Sequence, residues 1–154
     1  MKHWSSLLIL AAFAALTVAA WAFANQPTPE PPWPSRIQGF SFQPYQKDQD
    51  AIARDEPTTE QVDSDLKLLA GKTNSVRTYS TLGTLGEIPR LAARHDIKVA
   101  VGAWLDTDRE RNALEVENAI QLARKHANVV RVIIGNEVVL RGDLPMDEIA
   151  AHLD

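Results

Sequence analysis

The sequence predicts an α/β domain built on a parallel sheet and preceded by one apolar helix. Three observations carry this. Beyond residue 35, segments that read as strands alternate four times with segments that read as helices. Several of these strands, such as Val129 to Gly135 (VVRVIIG), are near-continuous apolar runs, the pattern of strands covered by helices. Leu7 to Ala24 is an uncharged run of 18 residues. The alternation fits either an open doubly wound sheet or part of a (β/α)8 barrel. The chain has 154 residues, well short of the roughly 200–250 that a closed barrel needs.

Met1 to Ala24 holds one charged residue, Lys2, and 19 of its 24 residues are apolar. Its uncharged run reaches about 27 Å as a helix, close to the ~30 Å of a bilayer core. Lys2 and His3 give a positive start, and Ala22-Phe23-Ala24 ends it like an A-x-A cleavage site. Residues 1–24 therefore read as a cleaved signal peptide or a single-pass membrane anchor. The anchor would hold the domain at the membrane, in the periplasm or outside the cell; cleavage would release it as a secreted protein. Residues 25–35 form a linker, since Gln26 to Pro34 (QPTPEPPWP) places five prolines in nine residues. The domain itself spans 36–154.

Within it, Arg36 to Phe42 reads as the first strand. Thr58 to Lys72 follows as a helix, with Thr58 and Gln61 as a capping-box pair and Gly71 at its end. Ser75 to Tyr79 is the second strand. Thr84 to His95 is the second helix, with Pro89 in its first turn or delaying its start. Lys98 to Leu105 is the third strand. The third helix runs from about Asn112 to His126, with Ala113, Val116, Ile120 and Ala123 expected on its buried face. His126 at its end meets a favourable helix dipole. Val129 to Gly135 is the fourth strand. Asp143-Leu144-Pro145 opens a fourth helix carrying Met146, Ile149, Ala150 and Leu153 on one face. The chain stops at Asp154, inside or just past this helix, which reads as an interrupted domain.

Composition excludes several functions. There is no cysteine, so disulfides, thiolate metal sites and cysteine nucleophiles are ruled out. The net charge is −4, with no basic block, which argues against a dedicated nucleic-acid binder. The four histidines, His3, His95, His126 and His152, form no i, i+3 or i, i+4 pair, so neither a metal nor a cofactor is expected. Ala70-Gly71-Lys72-Thr73 resembles a phosphate loop only at its end. It lacks the earlier glycine and closes a helix rather than opening one. Arg141-Gly142-Asp143 reads as a turn into a helix cap.

The chemically informative segment is VVRVIIGNEV, 129–138. In βα folds the active site gathers at the carboxyl ends of the strands, and there Asn136 and Glu137 appear. A carboxyl group beside apolar walls favours its protonated form, as a general acid requires. Adjacent strand residues face opposite ways, so both can serve one site only if the strand ends or bulges, as Gly135 permits. Glu137 is therefore a candidate acid/base and Asn136 a candidate sugar ligand. Arg77 and Tyr79 share a strand face. Trp104 closes the third strand, and Tyr45 follows the first. Aromatic rings at such ends make stacking platforms for sugars. Arg77 would either pair with a buried carboxylate or orient Glu137 or a hydroxyl.

Gly39-Phe40-Ser41-Phe42 with Pro44-Tyr45, then VRTYS, IPRLAARH, GAWL, VVRVIIGNEV and LRGDL, resemble the bacterial branch of the family-17 glycoside hydrolases. The resemblance covers Arg36 to Asp154. It implies a (β/α)8 TIM barrel, here truncated to about its first four βα units, and a retaining enzyme acting on β-1,3-glucan oligo- or polysaccharide. It implies Glu137 as the acid/base, Asn136 on the sugar 2-hydroxyl, and Arg77 and Tyr79 along the cleft, with Trp104 and Tyr45 as weaker carry-overs. It also implies a membrane-tethered domain, often N-terminal to a family-2 glycosyltransferase.

One feature of that family is not matched. Its nucleophile ends the seventh strand, and this sequence supplies strands one to four. Asp106, Asp108 and Asp143 match no nucleophile motif. The chain by itself is thus expected to be inactive, waiting on a C-terminal half or an associated domain. The alternatives are a non-catalytic, tethered glucan-binding module and an unrelated exported α/β domain.

Overall fold

The computed structural model describes residues 2–51, 53 and 55–152, with Lys2 and His3 described by backbone alone. The chain divides into two compact units, Met1–Trp33 and Pro34–Asp154. The first is the helix α1, Lys2–Ala24, and the proline-rich stretch after it. Trp4–Ala24 is long and apolar enough to cross a membrane, and its side chains are exposed.

The second unit is a four-stranded parallel sheet in the order β1 (Phe40–Ser41), β2 (Ser75–Arg77), β3 (Lys98–Ala103), β4 (Val129–Ile134). A doubly wound sheet reverses direction part-way across. Here the order runs straight through, as around the wall of a (β/α)8 barrel. Helices α2 (Thr59–Leu69), α3 (Ile88–Ala93) and α4 (Arg109–Lys125) connect the strands. Val62 and Leu66 of α2 and Ile88 and Leu91 of α3 are fully buried with Val76, Val99, Val101 and Ala103 of the sheet. Each buried Leu or Ile side chain contributes about 1.5–3 kcal/mol.

Local chemistry explains the boundaries. The Thr58 hydroxyl accepts from the Gln61 amide, the Gln61 side chain accepts from the Thr58 amide, and α2 starts there. It stops before Gly71, whose φ is +75°. The expected first strand, 36–42, is shorter. Ile37 bridges Thr73, but at Gln38 the Ser75 hydroxyl takes the carbonyl at 2.6 Å and interrupts the ladder. Pro89 delays the second helix as expected: Gly83–Glu87 forms a 3-10 turn and α3 follows with Pro89 in its first turn.

The third helix differs most. It begins at Arg109, capped by Asp108, and buries Asn112, Glu115 and Ala119. Ala113 and Ile120, expected inside, are exposed. Glu115 turns the helix this way because its carboxylate finds three donors. The Ser80 hydroxyl, the Thr81 amide and the Thr81 hydroxyl lie within 2.5–2.7 Å. Asn112 fills both its amide functions on Asp106, at 2.7 and 2.9 Å.

After β4 the chain forms a short helix, α5 (Val138–Arg141), that the sequence does not announce. Gly142, at φ +74°, closes it. Asp143 is therefore not a helix cap; α6 (Met146–Ala150) starts from Pro145. On α6, Ile149 packs on Leu105, Val138 and Leu144, while Met146 is exposed. Leu153, expected on the same face, lies outside the described residues. His126 also departs from expectation. Burial, then neighbouring Lys125, lowers its pKa, with Arg90 adding to the effect and Glu87 opposing it.

Candidate functional site

Every residue singled out for chemistry lies at or just past the carboxyl end of a strand. β2 ends at Arg77, with Tyr79 two residues on; β3 ends at Ala103, one residue before Trp104. Paired residues of parallel strands share a face, so Arg77 and its partner Ala100 point the same way, as does Gly102. This face of β3 is nearly bare. Arg77 reaches across it, and its Nη2 donates to Asn136 Oδ1 at 3.0 Å. Gly102 is needed there for a second reason: a Cβ would stand 2.3 Å from the Thr78 carbonyl oxygen.

Arginine only donates, so the Asn136 atom facing it is the oxygen. The Asn136 Nδ2 is left to donate elsewhere. The Arg77 guanidinium also stacks on Tyr79, 4.8 Å from the ring centre. Tyr79 donates its hydroxyl to Ser41 Oγ at 3.0 Å. Arg77 thus pairs with Asn136, not with a buried carboxylate or with Glu137 directly. Its Nε is buried without a hydrogen-bond partner among the described residues.

β4 ends at Ile134, and Gly135 turns away with φ +76°. The condition for Asn136 and Glu137 to serve one place is met. Glu137 itself adopts φ +53°, ψ +21°, a left-handed conformation that costs a non-glycine residue about 1–2 kcal/mol. Its side chain is exposed. The apolar walls expected around it are not supplied by the described residues, because β4 is an outer strand of the sheet and pairs on one side only.

Tyr45, Tyr79 and Trp104 do come together. They line a cavity of about 430 Å³ with Glu56, Asp106 and Arg111. Arg77, Asn136 and Glu137 do not line it. Burial raises the pKa of the Tyr45 hydroxyl, Glu56 adds to this, and Arg111 opposes it. The Glu56 carboxylate receives the Thr84 amide at 2.7 Å.

Sequence reading missed two residues. Glu115 fixes Ser80 and Thr81, the residues directly after Tyr79. Arg141 joins the ends of β3 and β4, bonding the Leu105 and Asn136 carbonyls and stacking 4.3 Å from the Trp104 ring centre. Glu115 could have been noticed as a carboxylate in register with Ala119 and Leu122. Arg141 gave no local signal.

The sequence model of the BtgE/BtgC glycoside hydrolase domain matches residues 39–154. The chain belongs to this family. Among curated proteins none matches the sequence. Among solved structures, the BtgE/BtgC domain here is similar to an active-site mutant of Rhizomucor miehei β-1,3-glucanosyltransferase in complex with laminaritriose. The TM-score is 0.61 at 20% identity, over 76% of this chain and 42% of that one. It is also similar to an endo-laminarinase from Formosa Hel1_33_131, with TM-score 0.53 at 24% identity, over 66% of this chain and 31% of that one. These likenesses establish the fold. The chain spans less than half the length of either structure.

Proposed function

We propose that this BtgE/BtgC domain is the acid/base-bearing half of a retaining β-1,3-glucan hydrolase or transglycosylase. The observation that carries the reading is the end of β4, where Asn136, gripped by Arg77, and Glu137, open to solvent, leave the strand together. Glu137 protonates the glycosidic oxygen as the bond breaks. It then takes the proton of the attacking water or sugar hydroxyl. Asn136 Nδ2, freed by the Arg77 contact, donates to the sugar 2-hydroxyl. Tyr79, Trp104 and Tyr45 offer ring faces to further glucose units. The laminaritriose bound by the R. miehei neighbour supports glucan as the ligand class.

A retaining mechanism needs a second carboxylate about 5–5.5 Å from the first. Asp143 is paired with Arg141 at 2.7 Å, and Asp106 receives the Asp108 amide at 2.7 Å. Both are committed to local structure. The family resemblance puts the nucleophile at the end of a seventh strand, so in this reading a C-terminal half or an associated domain supplies it, and the 154 residues alone are expected not to turn over. The apolar helix α1 supports export, as anchor or signal, with exported or envelope glucan as substrate.

The test is laminari-oligosaccharide turnover by the longest natural protein that carries this chain. Glu137→Gln should lose more than about 100-fold in kcat; activity near wild type would falsify the assignment. A glucan-binding module without chemistry is the second reading, favoured by a cavity that excludes Glu137. Titrating the chain with laminaritriose by calorimetry, alongside that turnover assay, separates the two: binding with no turnover in any longer form supports the module.

A further inference from the structure

Arg141, the last residue of α5, engages four groups. Its Nη1 donates to the Asn136 carbonyl and its Nη2 to the Leu105 carbonyl at 2.7 Å. Its Nε pairs with Asp143 at 2.7 Å. Its guanidinium lies over the Trp104 ring. Both carbonyls fall beyond the ladder between β3 and β4, where the two strands no longer hold each other. The Arg141 amide also donates to the Glu137 carbonyl at 2.9 Å. The Asn136 carbonyl belongs to the peptide entering Glu137, and the Glu137 carbonyl to the peptide leaving it. One residue therefore grips both peptide planes that flank the Glu137 Cα.

We propose that Arg141 is the positioning residue that holds Glu137 in its left-handed conformation and keeps it in register with Trp104. This inference rests on the role proposed for Glu137. A left-handed glutamate persists only where its surroundings over-determine it. Relaxation to the right-handed region would rotate those two planes and swing the carboxylate off the strand end. The planar, multiply donating guanidinium fits four partners at once. A lysine ammonium keeps the charge and loses the fork.

The experiment compares Glu137→Gln, Arg141→Met, Arg141→Lys and the double variant Glu137→Gln/Arg141→Met in the same turnover assay. Arg141→Met should lower kcat by about 100-fold, the scale of a misplaced catalytic group, with KM changed less than about threefold. Arg141→Lys should fall in the same direction. In the Glu137→Gln background, Arg141→Met should cost less than about threefold, because the two act as a unit. Losses that multiply, or wild-type kcat in Arg141→Lys, overturn the inference while leaving the Glu137 assignment standing. If Glu137→Gln itself retains turnover, the functional reading fails. Amide hydrogen exchange on the 154-residue chain then decides. Arg141→Met should speed exchange at Gly135 and Asp143 by at least about tenfold, with Leu66 and Leu91 unchanged. Equal acceleration everywhere, or none at Gly135 and Asp143, overturns the inference.

Discussion

Val99, Val101 and Ala103 of β3 are at most 1% exposed, whereas Val130 and Val132 of β4 are 57% and 37% exposed. The same residue types sit in both strands, and the difference is what covers them. β3 lies between two strands under α3 and α4, and β4 has a neighbour on one side only. The candidate site is split along this line. Its aromatic cavity grows from the ends of β1 to β3 and is backed by the buried Glu115 carboxylate. Glu137, the proposed acid, stands on the open edge, next to an Asn136 whose side chain is held by Arg77 and whose carbonyl is held by Arg141. In the proposed reading, recognition rests on the covered part of the sheet and chemistry on the edge where another strand can add.

The largest expected effect tests the finished side. Glu115→Ala strands the part-buried Ser80 hydroxyl and the buried Thr81 amide, while the Thr81 hydroxyl keeps the Glu115 backbone carbonyl at 2.9 Å. Each such loss costs about 1–3 kcal/mol, so chemical denaturation should show a drop of about 3 kcal/mol and loss of whatever glucan binding the wild type has. A drop below about 0.5 kcal/mol would mean that Glu115 does not anchor the loop after Tyr79. On the open side, Val132→Thr should change stability by less than about 0.5 kcal/mol, as at a surface position. A loss comparable to a core substitution would erase the contrast between the strands.

The smallest effect is set by pH. His126 has a folded-state pKa below its unfolded value, chiefly from burial and then Lys125. Its neutral form is the favoured one in the fold. That contribution is fully present above about pH 6.5, the ordinary histidine value, and is lost as pH falls through the folded-state pKa. Thermal melts between neutral and mildly acid pH should therefore show the wild type losing more Tm than His126→Gln. Parallel curves would remove His126 from the account.

Much of the fold was legible because its signals are local. The Thr58–Gln61 box, Gly71 and Pro89 each act within one helical turn, and each lies where the pattern places it. The strands were legible as apolar runs. The third helix was not, because counting apolar residues favours Ala113 and Ile120 over a stripe containing Glu115. A carboxylate enters a core only when donors wait there, and those donors are 34 and 35 positions away in sequence. The site divides the same way. Glu137, Asn136, Tyr79, Trp104 and Tyr45 were singled out as candidates from their places at strand ends. Arg141 was not, since its partners Leu105 and Trp104 meet it only after β3 and β4 pair. The exposure of Glu137 also escaped the sequence, because edge and interior strands share one composition.

The bare face of β3 has a reach of its own. Arg77 and Asn136 are two strands apart, roughly 10 Å at ~4.8 Å per strand, and they meet because Ala100 and Gly102 leave the space between them empty. A larger residue at 102 would cut that link although it touches neither partner's backbone. Residues 77, 102 and 136 consequently form one structural unit, whose link holds only while the strand between them stays small.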